Sequence, residues 1–153
     1  MVTDTLIGAV LTSLVFSTVV LGIFKWYPEG FVNEVSEGRE PTPRTVRSAV
    51  SFVLVIASIL GGMIATTWWV ASEHDVGFGG RFLVAWSVIV IGNVVDLVVL
   101  DIVIYTWISP SFMEVPGYPP MHDYRYHAVG AVKGSTIIGL PAALLVAAVT
   151  TGA

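Results

Sequence analysis

Apolar positions fall in four long runs, separated by short polar stretches broken by proline or glycine. Twenty uncharged residues lie between Asp4 and Lys25, and 25 lie between Arg47 and Glu73. A third run, Phe82 to Ile108, has only Asp96 and Asp101 as charges, and no charge follows Lys133. A helix needs roughly 20 apolar residues to cross the hydrocarbon core of a bilayer. The pattern therefore predicts four spans, over about residues 5–27, 46–71, 82–108 and 128–150. Helices are required because an open strand in lipid leaves its backbone groups unpaired, and the strict alternation of a membrane barrel strand is absent. The expected fold is an all-α membrane protein, an antiparallel four-transmembrane-helix bundle forming one membrane domain over residues 1–153.

The connections agree with this division. Pro28-Glu29-Gly30 stops the first run, and Glu37 to Pro43 is polar and proline-broken. Ser109-Pro110 ends the third run, and Pro116 to Pro120 keeps the next loop from extending it. The first run reads as a span rather than a signal peptide. No basic residue precedes it, it exceeds an ordinary h-region, and it ends in Lys25-Trp26-Tyr27-Pro28 without a small-residue cleavage pattern.

Composition supports the same reading. Charged residues make up 12% of the chain and apolar residues 55%, whereas a soluble domain is about 25% charged. Such a chain cannot cover itself with polar surface, so its principal partner is the lipid bilayer. Seven Lys+Arg scattered between the helices make no basic face, and nucleic acid is not an expected partner. The lack of cysteine excludes disulfides, thiolate metal sites and cysteine nucleophiles. Lys25, Arg39, Arg44, Arg47, Arg125 and Lys133 fall on or beside the first and third loops, and only Arg81 flanks the second. By the positive-inside rule, loops 25–47 and 108–128 are expected to be cytoplasmic, with both termini outside. Trp26, Tyr27, Trp68, Trp69, Tyr105 and Trp107 lie near span ends, where an interfacial aromatic belt is expected.

Lipid tails are as apolar as leucine, so small residues that let backbones approach must hold the bundle together. Ala9, Ser13 and Ser17 form one such stripe, and Ser58, Gly62 and Thr66 another. Gly130 and Gly134, beside Ala131, Ser135 and Gly139, form a third. A homo-oligomer or a membrane protein partner is a further use for these stripes. Pro141 is expected to kink the last span and free a carbonyl near Ile137.

Candidate chemistry centres on Asn93, Asp96 and Asp101 in the third span. An ionised aspartate at mid-helix costs about 2.5–3.5 kcal/mol on insertion scales, so these residues should face protein. At α-helical geometry the three cover an arc of about 140°, with Asp96 about 60° to one side of Asn93 and Asp101 about 80° to the other. Asp101 and Lys133 lie at similar depths, about 10 Å and 7–8 Å from the same membrane face. They are expected to pair, each lowering the other's desolvation cost. Asp96 has no cation at its level and is expected to hydrogen-bond Asn93, or Ser58 or Ser17 on neighbouring helices. Asn93, Asp96, Asp101 and Lys133 are thus the ligand- or proton-handling candidates. Arg125 and His127 are interface candidates, expected to meet lipid phosphates or the end of the third helix. His122, Asp123 and His127 are metal-ligating residue types, but their spacing matches no established metal pattern and no metal site is assigned. His74, beside Glu73 and Asp75, is expected to be solvated. No GxSxG, phosphate-cradling glycine loop or HExxH is present, no histidine pair lies within the spans for haem, and the cofactor is unknown.

The residues Asn93-x-x-Asp96-Leu97 and Asp101, continuing through Ile108-Ser109-Pro110-x-Phe112 and Val115-Pro116-Gly117 to Tyr126-His127 and Lys133-Gly134, carry a resemblance. They resemble a group of small, uncharacterised four-span prokaryotic integral membrane proteins, over roughly the C-terminal 40% of the chain. The resemblance implies a common architecture and a prokaryotic plasma membrane location, and carries no reaction. Three functions stay open: a membrane protein whose polar patch binds a small ligand, lipid headgroup or proton; a non-catalytic subunit or scaffold; and a membrane enzyme acting on a lipid-like substrate.

Overall fold

A computed structural model describes residues 1–27, 46–108, 110–111 and 124–152. Among the described residues four helices are long and apolar enough to cross a membrane: Val2–Trp26, Val46–His74, Phe78–Ile108 and His127–Thr151. They are called the first to fourth helices below. Among the described residues there is no strand. The first helix packs along the second and the third, and the fourth along the third and the second. The second and third also meet across one diagonal, while the first and fourth make no extensive contact across the other. Ala9, Met63, Ala85, Val88, Ile89, Ala143 and Val146 form the shared core. Leucine, valine and isoleucine dominate the outer face.

Glycine against threonine sets the closest approach. Gly8 and Thr12 are four apart on the first helix, as Gly62 and Thr66 are on the second, and the helices run antiparallel. A Cβ added at Gly8 would stand 2.9 Å from Thr66 Cβ, and one at Gly62 would stand 2.9 Å from Thr12 Cβ. Each threonine therefore fills the notch left by the opposite glycine. Thr12 Oγ1 donates to Gly8 O at 2.8 Å and Ser13 Oγ to Ala9 O at 2.7 Å, so neither hydroxyl goes unpaired in the apolar interior. Ala9, Ser13, Gly62 and Thr66, expected at an interface, are found there. Gly130 is not, because nothing lies within 4 Å of where its Cβ would be.

Two segments depart from α-helical geometry. The third helix is α-helical over Phe78–Val95 and then π-helical over Asp96–Ile108. The fourth is π-helical over Gly134–Ile138, between α-helical Tyr124–Lys133 and Gly139–Thr151. Pro141 lacks an N–H and would crowd the carbonyl of Ile137 in a regular α-helix. The widened turns lie immediately before it. Gly139 N–H donates to Gly134 O rather than to Ser135 O, and the freed Ser135 carbonyl accepts from Trp86 Nε1 at 3.3 Å.

One end of the bundle is tied by polar contacts. His74 is exposed, as expected, and its Nε2 lies 2.7 Å from Asp4 Oδ2, so it also joins the first two helices. Asp75 takes φ 47°, a left-handed conformation that aspartate tolerates better than most residues, and this lets residues 75–77 turn tightly into the third helix. Arg81 donates to Val76 O at 3.0 Å and to Thr150 O, joining this turn to the fourth helix. At the helix ends Trp26, Trp68, Trp69 and Trp107 are exposed as a belt requires, whereas Tyr27 is buried. Tyr105 faces inward, its ring centroid 6.3 Å from that of Phe24.

Candidate functional site

The register of the third helix places the site. A π turn carries about 4.4 residues, so Asp101 lies about 50° from Asp96 around the axis instead of 140°. Asn93, Asp96 and Asp101 then share an arc of about 60°, with Asp101 almost directly below Asn93. The contacts agree. Asn93 Nδ2 donates to Ser135 Oγ at 2.8 Å, and Asp101 Oδ2 meets His127 Nδ1 at 3.0 Å. Both partners are on the fourth helix. The broad arc expected from α-helical geometry is thus corrected by the π segment, which begins at Asp96.

Asp101 does not pair with Lys133. His127 and Lys133 are six residues apart in a regular α-helical segment, hence about 120° apart around it, and only one can face the third helix. His127 does so, with its side chain 14% exposed against 28% for Asp101. Lys133 is exposed and joins no ion pair among the described residues. His127 thus meets the third helix, one of the two positions expected for it. Tyr105 completes the surroundings, its ring edge-on to the imidazole at a centroid distance of 6.5 Å. When Asp101 is ionised it can only accept, and Nδ1–H of His127 is then the donor.

Asp96 is half-buried. It makes no hydrogen bond or ion pair among the described residues. Asn93 donates to Ser135 instead, and Ser58 Oγ donates to Val55 O of its own helix at 2.8 Å. Gly134 makes room for the amide: a Cβ there would stand 3.3 Å from Asn93 Oδ1. Asn93 and Gly134 both line a cavity of about 120 Å³, touched by all four helices through residues such as Ser13, Met63, Gly92 and Ile138. Thr12 and Ser13 on its wall bond to their own helix. The Asn93 amide is therefore its main polar feature, and neither acid lines it.

Of the remaining candidates, Arg125 is exposed at the start of the fourth helix. His122 and Asp123 lie outside the described residues, as do Arg39 and Arg44. No group of three His, Cys, Asp or Glu among the described residues could hold a metal ion. Sequence reasoning does not pair Asp101 with His127, although it puts His127 within reach of the end of the third helix. The described residues are all-helical in class, with four membrane-spanning-capable helices packed on one another, and no family model, curated protein or solved structure matches the chain.

Proposed function

We propose that this is an integral membrane protein with an intramembrane proton-binding site, formed by Asp96, Asp101 and His127. The observation that carries the reading is the 3.0 Å contact between Asp101 and His127, with the unpartnered Asp96 one wide turn deeper. Ionisable groups inside a span are costly and are by default functional. Carboxyl and imidazole exchange a proton with little movement, which suits two acids and one imidazole better than a cation needing several ligands. The site lies in the half of the bundle nearer the end carrying Lys25, Arg47 and Arg125, which the basic-residue rule makes cytoplasmic. The likeness of residues 93–134 to small four-span prokaryotic proteins supports a prokaryotic plasma membrane location.

Infrared difference spectra of the protein in liposomes, taken across a pH step, test this. The parent should show a carboxyl band that Asp96→Asn or Asp101→Asn alters and His127→Ala shifts. Spectra of all three variants superimposing on the parent's would dismiss the site. A non-catalytic subunit is the second reading. It is favoured by the interlocked Gly8–Thr66 and Gly62–Thr12 contacts and by a cavity that neither acid lines. A membrane enzyme comes third: among the described residues no hydroxyl or amine side chain hydrogen-bonds either carboxyl to serve as nucleophile.

A further inference from the structure

Lys133 stands exposed inside the fourth span. Its neighbours on that surface are lipid-facing: Val132 is 64% and Ile137 68% exposed. The acid best placed to neutralise it, Asp101, is held by His127 on another face of the helix. An ammonium group cannot rest in hydrocarbon, and lysine's four-carbon stem lets it rise toward the headgroups while the stem stays in the acyl region. Lys133 lies about 9 Å from the start of the span, and its stem, about 6 Å long, carries the ammonium most of the way to the interface. Arg125 is also exposed. It lies on the same i, i+4, i+8 ridge through Val129, about 12 Å nearer the membrane face and about 80° around the axis. Val129, 43% exposed, lies between the two cations on this ridge, and Gly130 beside it leaves open space, with nothing within 4 Å of where a Cβ would be.

We infer that this face of the fourth helix binds an anionic phospholipid, its phosphate seated between Arg125 and Lys133 and a chain lying along Val132 and Ile137. The occupant is a bilayer lipid rather than a dissolved anion, because the lysine is rooted beside the exposed Val132 and Ile137, against which only a membrane-borne molecule also packs its chain. Lys25 and Arg47 lie at the same end of the bundle, and such basic ends attract anionic headgroups. The inference is independent of any proton chemistry at Asp96.

Native mass spectrometry of the full chain tests it, from mild detergent containing equal amounts of phosphatidylglycerol and phosphatidylcholine. The parent and Lys133→Arg should retain phosphatidylglycerol several-fold over phosphatidylcholine. Lys133→Gln should bring that ratio close to one, and Arg125→Gln should lower it in part, with helix content unchanged by circular dichroism. A parent without preference, or a Lys133→Gln protein that keeps the parental ratio, would overturn the inference. So would a dimer that Lys133→Gln dissolves with no change in lipid retention, because the counter-charge would then belong to a second copy.

Discussion

Gly62→Ala puts a methyl carbon 2.9 Å from Thr12 Cβ and closer still to both of its γ atoms. Thr12 cannot swing aside without breaking the 2.8 Å bond from its hydroxyl to Gly8 O, so the first two helices must separate. Overpacking of this kind costs about 1–3 kcal/mol. The same change gives back about 0.5–1 kcal/mol of helix propensity, for an expected net loss of about 1–2 kcal/mol. Gly61, one residue earlier, has nothing within 4 Å of its would-be Cβ. Gly61→Ala therefore isolates the propensity gain and should be neutral or slightly stabilising. Thr12→Ala removes both offending γ atoms, so it should recover part of the Gly62→Ala loss, with a coupling of about 1 kcal/mol. Reversible unfolding in mixed micelles, titrated with a denaturing detergent and followed by far-ultraviolet circular dichroism, gives all four free energies. Equal stability of the Gly61→Ala and Gly62→Ala proteins, or additivity of Gly62→Ala with Thr12→Ala, would refute the interlock.

The same titration separates the two candidate partners of Asp101. Asp101→Asn and His127→Ala should each cost about 1.5–3 kcal/mol, the range for hydrogen bonds to charged groups, while Lys133→Gln should stay within about 0.5 kcal/mol of the parent. Equal losses at His127 and Lys133 would restore the lysine as counter-ion. For the amide contact, Asn93→Ala and Ser135→Ala should show a coupling of about 0.6 kcal/mol, the average for hydrogen bonds between membrane helices. A coupling of zero would mean that the 2.8 Å contact contributes nothing to folding.

The four helices could be read from the chain because span length and charge-free runs are properties of composition along one dimension. The interfaces could be read only in part. Ala9, Ser13, Gly62 and Thr66 stand out as small residues at four-residue spacing, but Gly8 pairs with a threonine on the other helix. Its importance appears only when Thr66 is seen filling the missing side chain. The site failed at a different point. Asp101, His127 and Lys133 all stand out in the sequence, and helix geometry puts Asp101 and Lys133 at similar depths from the same membrane face. What decides between His127 and Lys133 is rotation about two helix axes. On the fourth helix that rotation follows ordinary α-helical geometry, and six residues of it turn Lys133 toward lipid. On the third helix it depends on whether the hydrogen bonds from Asp96 onward close at i+4 or i+5. A change of one residue in that register moves Asp101 by about 90° around the axis. No proline or glycine in Asp96–Ile108 announces the change, whereas Pro141 does announce the wide turns of the fourth helix. A carboxylate's partner inside a membrane is therefore set by backbone register as much as by depth. In this chain the wide register aligns Asn93 and Asp101 on one face and leaves Lys133 to the bilayer.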